Sequence, residues 1–119
     1  MTQTKLHLPN YQSVMDLANR LDLNREVVRE ILGVSESSQF RYEKNNPKLK
    51  TNLADRWSRV VKTVELAEEL FEDDEEIKKW LSTPKAAFNG NCPLDMLSTE
   101  AGSRQVEQLL LQASYGVFA

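Results

Sequence analysis

Seven apolar side chains, Leu53, Trp57, Val60, Val61, Val64, Ala67 and Phe71, recur at the three- and four-residue steps of an α-helix. A stripe of that length cannot be left in water, and its width asks for cover on both flanks. The helix it predicts, over 53–71, is therefore expected to pack against both the N-terminal and the C-terminal parts of the chain. This constrains the rest of the chain to supply helical partners.

Those partners are legible on both sides. Val14, Leu17, Ala18 and Leu21 fall at helical spacing behind Ser13, read as a cap. Asn24 caps a second helix whose face is Val27, Val28, Ile31 and Leu32, and Gly33 stops it as a left-handed residue. Ser35, with Ser38 in place of the glutamate of a full capping box, starts a third helix over 36–44, ended by Asn45, Asn46 and Pro47.

After the long helix, the acidic run from Glu72 to Glu76 precedes Ile77, Trp80 and Leu81. The run reads as the negatively charged first turn of a helix, without the spacing of a calcium loop. STPKAAFNGNCP then reads as an ordered surface loop, and Pro93 opens a short turn, PLDML. Thr99 caps a last helix, Gly102 and Ser103 allow close backbone approach, and Gly116 breaks the helix ahead of Val117, Phe118 and Ala119. No strand pattern of comparable strength occurs, so the predicted fold class is all-α. The predicted organisation is an N-terminal module over 1–52 and a helical module over 53–119.

Composition narrows the function. The 119 residues are 40% apolar and 28% charged, ordinary for a soluble globule. No run approaches the roughly 18 apolar residues of a membrane span, and the N-terminus shows no basic region leading into an apolar one, so a cytoplasmic location is expected. One cysteine, Cys92, and one histidine, His7, offer neither an internal disulfide nor a zinc set; a structural thiol and a surface imidazole are expected, with no metal and no cofactor. General acid/base and nucleophilic constellations lack parts, and no enzyme is expected. The net charge of −3 is uneven: residues 1–52 carry +2 and the remainder −5. Only the front could approach phosphate.

The segment GVSESSQFRYEK joins the second and third helices by a tight turn at Gly33 and Val34, the layout of a helix-turn-helix. Its outer face would offer Ser37, Gln39, Arg41, Tyr42 and Lys44: glutamine to adenine, arginine to guanine or phosphate, the rest to backbone oxygens. A plain polar helix on a bundle surface stays open beside that reading.

The C-terminal forty residues have their own signature. From 104 to 115 one stripe is Val106, Leu109, Leu110 and Ala113; a second, Leu111 and Tyr115, lies on roughly the opposite side. No charged side chain comes after Glu107. One stripe can serve the core while the other is left for a partner.

Trp80-Leu81, then Ser82-Thr83-Pro84, Ala87, Phe88 and Gly90, then Pro93-Leu94-Asp95, Leu97 and Thr99-Glu100-Ala101-Gly102, then Val106, Leu109 and Leu110, and finally Tyr115-Gly116-Val117 make one ordered pattern. In it the segment resembles the toxin-binding domain of the Xre/MbcA/ParS type of antitoxin, found with RES-domain toxins. The similarity extends through the 53–71 helix and the GVS turn back to about Asn24. The resemblance implies an Xre-like helix-turn-helix and, after it, a small toxin-binding or dimerisation domain, in a type II antitoxin that blocks a NAD-consuming RES toxin and represses its own operon. It implies that Tyr115, Gly116, Val117, Phe118 and the Ala119 carboxylate, with Leu111, cover the toxin's active-site entrance. The partners implied are the cognate RES-domain toxin, operator DNA and a second copy of the chain, with no membrane. The alternative is a plain transcriptional regulator whose C-terminal domain only dimerises.

One departure stands out. Usual helix-turn-helix sequences place a small residue four before the turn glycine and an apolar one six after it; here these are Arg29 and Gln39. Two consequences are open: Phe40 anchors a slightly rotated third helix, or strong DNA binding has been lost.

Overall fold

A computed structural model gives the architecture, and it describes residues 8–116. His7, Val117, Phe118 and Ala119, to which the sequence assigns expectations, lie outside the described residues. Among the described residues, seven α-helices succeed one another: α1 Tyr11–Arg20, α2 Arg25–Leu32, α3 Glu36–Asn45, α4 Thr51–Glu68, α5 Asp74–Ser82, α6 Pro93–Met96 and α7 Glu100–Ser114. The extended backbone among them amounts to a single bridge, Asn10 with Lys48, so the fold is all-α.

The helix starts obey local chemistry. The Asn24 side chain accepts from the Val27 amide at 2.9 Å, Ser35 Oγ from the Ser38 amide at 3.1 Å, Asp73 from the Glu76 amide at 3.0 Å, and Thr99 Oγ1 from the Gly102 amide at 3.0 Å. Each satisfies one of the orphan amides of a first turn, worth about 1 kcal/mol. Gly33 closes α2 at φ 68, as expected of the turn glycine. Ser13, in contrast, is not a cap. α1 begins at Tyr11, with Asn10 in the cap position, and the Ser13 amide donates to the Asn10 carbonyl instead. The earlier start is fixed by Tyr11, which is buried and whose amide donates to the Pro47 carbonyl at 2.8 Å.

Helix α4 is the spine. It runs from 51 to 68, with Leu53, Trp57, Val60, Val64 and Ala67 buried, and it packs on α2 and α5 and most extensively on α7. Phe71 falls beyond its end, half-buried, with its ring centroid 6.2 Å from that of Trp80; Val61 is exposed. The sequence stripe is thus one residue too wide and one turn too late. A single apolar cluster runs from Tyr11 and Val14 through Trp57 and Val64 to Val106 and Leu110, across the expected boundary at 52/53. Polar ties cross at the same place: the Arg20 guanidinium bridges Glu68 at 2.6 Å and Asp74 at 2.8 Å, and Lys78 reaches Asp22 at 2.9 Å.

Candidate functional site

The α2–turn–α3 unit places the five residues expected to face DNA on two different sides. Ser37, Arg41 and Lys44 are exposed. Gln39 is 1% exposed and Tyr42 is half-buried, so neither lies on the outer face, which corrects the sequence reading. The cause is packing: the Tyr42 ring lies 5.6 Å from that of Tyr11, and Gln39 fills the α2–α3 interior. There its side-chain carbonyl accepts from Arg29 Nη1 at 3.1 Å and its amide donates to the Arg25 carbonyl at 2.8 Å. Burial pushes the Tyr11 phenol upward, against the lowering influence of the nearby Gln39 side chain.

With Gln39 inside, Phe40 turns out. It is 59% exposed, and the expectation of a rotated third helix anchored by Phe40 is overturned. Lys44 Nζ stands 5.9 Å from the centre of its ring. Residues 37, 40, 41 and 44 are spaced as one helical stripe, so α3 presents Ser37, Phe40, Arg41 and Lys44 together. Glu43 is held back from this face by the Arg25 guanidinium, at 2.8 Å.

At the other end, α7 is a helix with three characters. Gly102, Ser103, Val106 and Leu110 are buried against the core. Glu100, Arg104 and Glu107 lie on the outward side of its first turns, with Arg104 paired to Glu100 at 2.9 Å. In the last turns that side becomes Leu111, 39% exposed, and Tyr115, 78% exposed. Tyr115 caps the helix, and Gly116 comes next at φ 73, a left-handed turn that redirects the chain. Leu111, Tyr115 and Gly116 are therefore brought together, while Val117, Phe118 and Ala119 lie outside the described residues.

Two features of this end are missed by periodicity. The loop expected at the surface holds a 3-10 turn, Ala86–Phe88, that buries Phe88. It closes on itself where the Lys85 amide donates to the Asn91 carbonyl at 3.0 Å, and Lys85 Nζ sits 4.8 Å above the Trp80 ring with its pKa lowered by burial. Between this loop and α7 lies a shallow groove lined by Ala87, Leu109, Gln105, Gln108 and Gln112. No charge lines it. The glutamines are scattered at steps that carry no apolar signal, which is why sequence patterning passes over them.

Gly102 explains the tight TEAG segment. A Cβ there would overlap the Met96 carbonyl oxygen, so α6 and α7 meet backbone to backbone. Asp95 completes the corner: its carboxylate accepts from the Cys92 amide at 3.2 Å and lies 3.1 Å from the Cys92 Sγ, and burial raises the thiol's pKa. Among the described residues no group of three or more His, Cys, Asp or Glu side chains is placed to hold a metal ion, and no helix is long and apolar enough to cross a membrane.

Comparison with known proteins agrees with this geometry. Residues 66–116 match the model of the antitoxin Xre/MbcA/ParS C-terminal toxin-binding domain. A curated relative, "Antitoxin Xre" of Pseudomonas putida, is 40% identical over 76 residues, which are 64% of this chain. The chain spans about half of that relative, 47% of its length. The matched segment begins in the second half of α4 and takes in the α5–α6 loop, the Gly102 crossing and the outward end of α7. Over that segment, the chain is similar to the C-terminal toxin-binding domain of the Xre/MbcA/ParS antitoxins.

Proposed function

We propose that this chain is the antitoxin of a toxin–antitoxin pair, that it holds a RES-type, NAD-consuming toxin inactive, and that it represses its own operon through α3. The observation that carries the first part is the uncharged, exposed end of α7 inside a segment that matches a toxin-binding domain. Tyr115 and Leu111 offer apolar area without a charge to desolvate, and Gly116 lets the next residues turn away from the helix into a cleft. Val117, Phe118 and Ala119 would extend the same plug. No reaction is assigned to the chain in this reading; it works by occupying its partner's entrance.

Repression through α3, as a dimer on a two-fold operator, is the accessory part of the proposal. Its support is the exposed Arg41 and Lys44 and the positive balance of residues 1–52. The test is to co-express the chain, with and without residues 116–119, beside the neighbouring toxin and to monitor NAD loss. Intact chain is expected to prevent it and truncated chain to fail. Equal protection by both removes the plug. If intact chain neither binds nor protects against that toxin, but binds promoter DNA as a dimer, the chain is a plain regulator instead.

A further inference from the structure

We propose that Phe40 is the base-contacting residue of α3 and that it reads the C5-methyl group of a thymine in the major groove, the place that the buried Gln39 cannot fill. This rests on the reading of α3 as a DNA-binding helix. Phe40 is the centre of the exposed stripe Ser37, Phe40, Arg41 and Lys44, and at 59% it is among the most exposed large apolar side chains described. Thymine is the base whose major-groove edge carries an apolar group, and apolar side chains recognise it by contact.

The surroundings select duplex DNA over other occupants. Arg41, Lys44, Lys48 and Lys50 are all exposed, and among the described residues none of them makes an ion pair. Arg41 and Lys44 stand beside the ring on α3, and Lys48 and Lys50 follow on the segment after it, cations for the phosphate backbone, while the acid nearest in sequence to Lys44, Glu43, is neutralised by Arg25. Lys44 over the ring leaves the other face of the phenyl group to meet a base edge. Glu36, exposed one turn before Phe40, puts a carboxylate that can accept from cytosine at the start of α3, and Lys44 puts a cation at its other end. A second copy docked through the same stripe would bring Arg41 and Lys44 against their own likenesses, which disfavours that occupant.

The experiment uses the full chain and duplexes from the upstream region of its own gene. Footprinting finds the protected site, and anisotropy then measures affinity for that site with thymine or uracil at each position. Wild type is expected to lose about fourfold in affinity when the contacted methyl group is removed, the worth of one buried methyl group. Phe40→Ala is expected to bind the thymine duplex more weakly, to ignore the exchange to uracil, and to keep the wild-type salt dependence, because no phosphate contact has gone. Arg41→Ala is the converse: a salt slope lower by about one, with thymine discrimination intact. Retention of full discrimination by Phe40→Ala overturns the proposal, and so does a smaller assembly in that variant with discrimination unchanged. If wild type binds no duplex at all, the DNA-binding reading itself has failed. Continued inhibition of the toxin by Phe40→Ala checks that the variant is folded.

Discussion

Arg29 of α2 donates to the side-chain carbonyl of Gln39 in α3 at 3.1 Å, and Gln39 passes the link back to the Arg25 carbonyl at 2.8 Å. A small residue and an apolar one would pack here without polar groups. This chain has replaced both together, and the two replacements satisfy each other. The helix pair keeps its geometry by hydrogen bonding where apolar contact is the usual solution.

Gln39→Ala is expected to cost about 2 kcal/mol, from a small cavity and an abandoned carbonyl at Arg25. The double variant Arg29→Ala with Gln39→Leu is expected to recover most of that loss, since replacing both partners by apolar groups is nearly neutral. Urea denaturation of wild type, Gln39→Ala, the single variants Arg29→Ala and Gln39→Leu, and the double variant checks it. Strictly additive losses would show that the pair is not coupled.

Gly102→Ala separates steric from conformational cost. The new methyl group would meet the Met96 carbonyl oxygen, which belongs to the backbone and cannot swing aside, so a loss of about 3 kcal/mol and a loosened α6–α7 corner are expected. Gly90→Ala, with open space around it and φ at 88, should cost about 1 kcal/mol. Thermal melts of both variants are the measurement, and the reverse order would contradict the close crossing.

Thr63 sits in the middle of α4, fully buried, and its hydroxyl has no hydrogen-bond partner among the described residues. Thr63→Val keeps the shape and removes the desolvated oxygen. A gain of about 1 kcal/mol is expected. A lower denaturation midpoint would instead reveal a partner for the hydroxyl.

Acid should undo the tie between α1 and α5. The Arg20 guanidinium bonded to Asp74 holds that carboxyl below its ordinary value. A folded value below the unfolded one adds stability above the unfolded pKa, and the addition is lost as pH falls through about 4 toward the folded value. The melting temperature of wild type should therefore exceed that of Arg20→Ala at pH 7, and the gap should close as the pH falls below about 4. A gap independent of pH would leave the ion pair no part in it.

Tyr115→Ala and Leu111→Ala are expected to leave the melting temperature within about 1 °C, given their exposure, and to weaken the toxin complex by roughly tenfold or more for the tyrosine. Isothermal titration against the toxin measures the second effect. Unchanged affinity would move the docking face off the end of α7.

Most of the fold is legible in the sequence because its signals are local. Asn24, Gly33, Ser35 and Thr99 each act on amides or carbonyls within one turn, so the residue names suffice. Leu111 and Tyr115 stand out as an apolar pair off the core stripe, and their exposure agrees. Gln39 and Phe40 read the wrong way round when polarity is taken to mark the outer face, because a buried glutamine needs a partner that only the tertiary structure supplies, here Arg29. Ser13 fails for a related reason: the start of α1 is set by Pro47, across the fold, and not by its own neighbours. Phe88 looks like part of a solvated loop because the 3-10 turn that buries it is too short to leave a period.

Helix α4 lends one flank to α2 and another to α7, and one apolar cluster spans the join. Neither half can then be shed without uncovering the other's apolar side, so a cut that unravels one end exposes both to proteolysis. Loss of that one helix would take away the apolar footing of both ends at once.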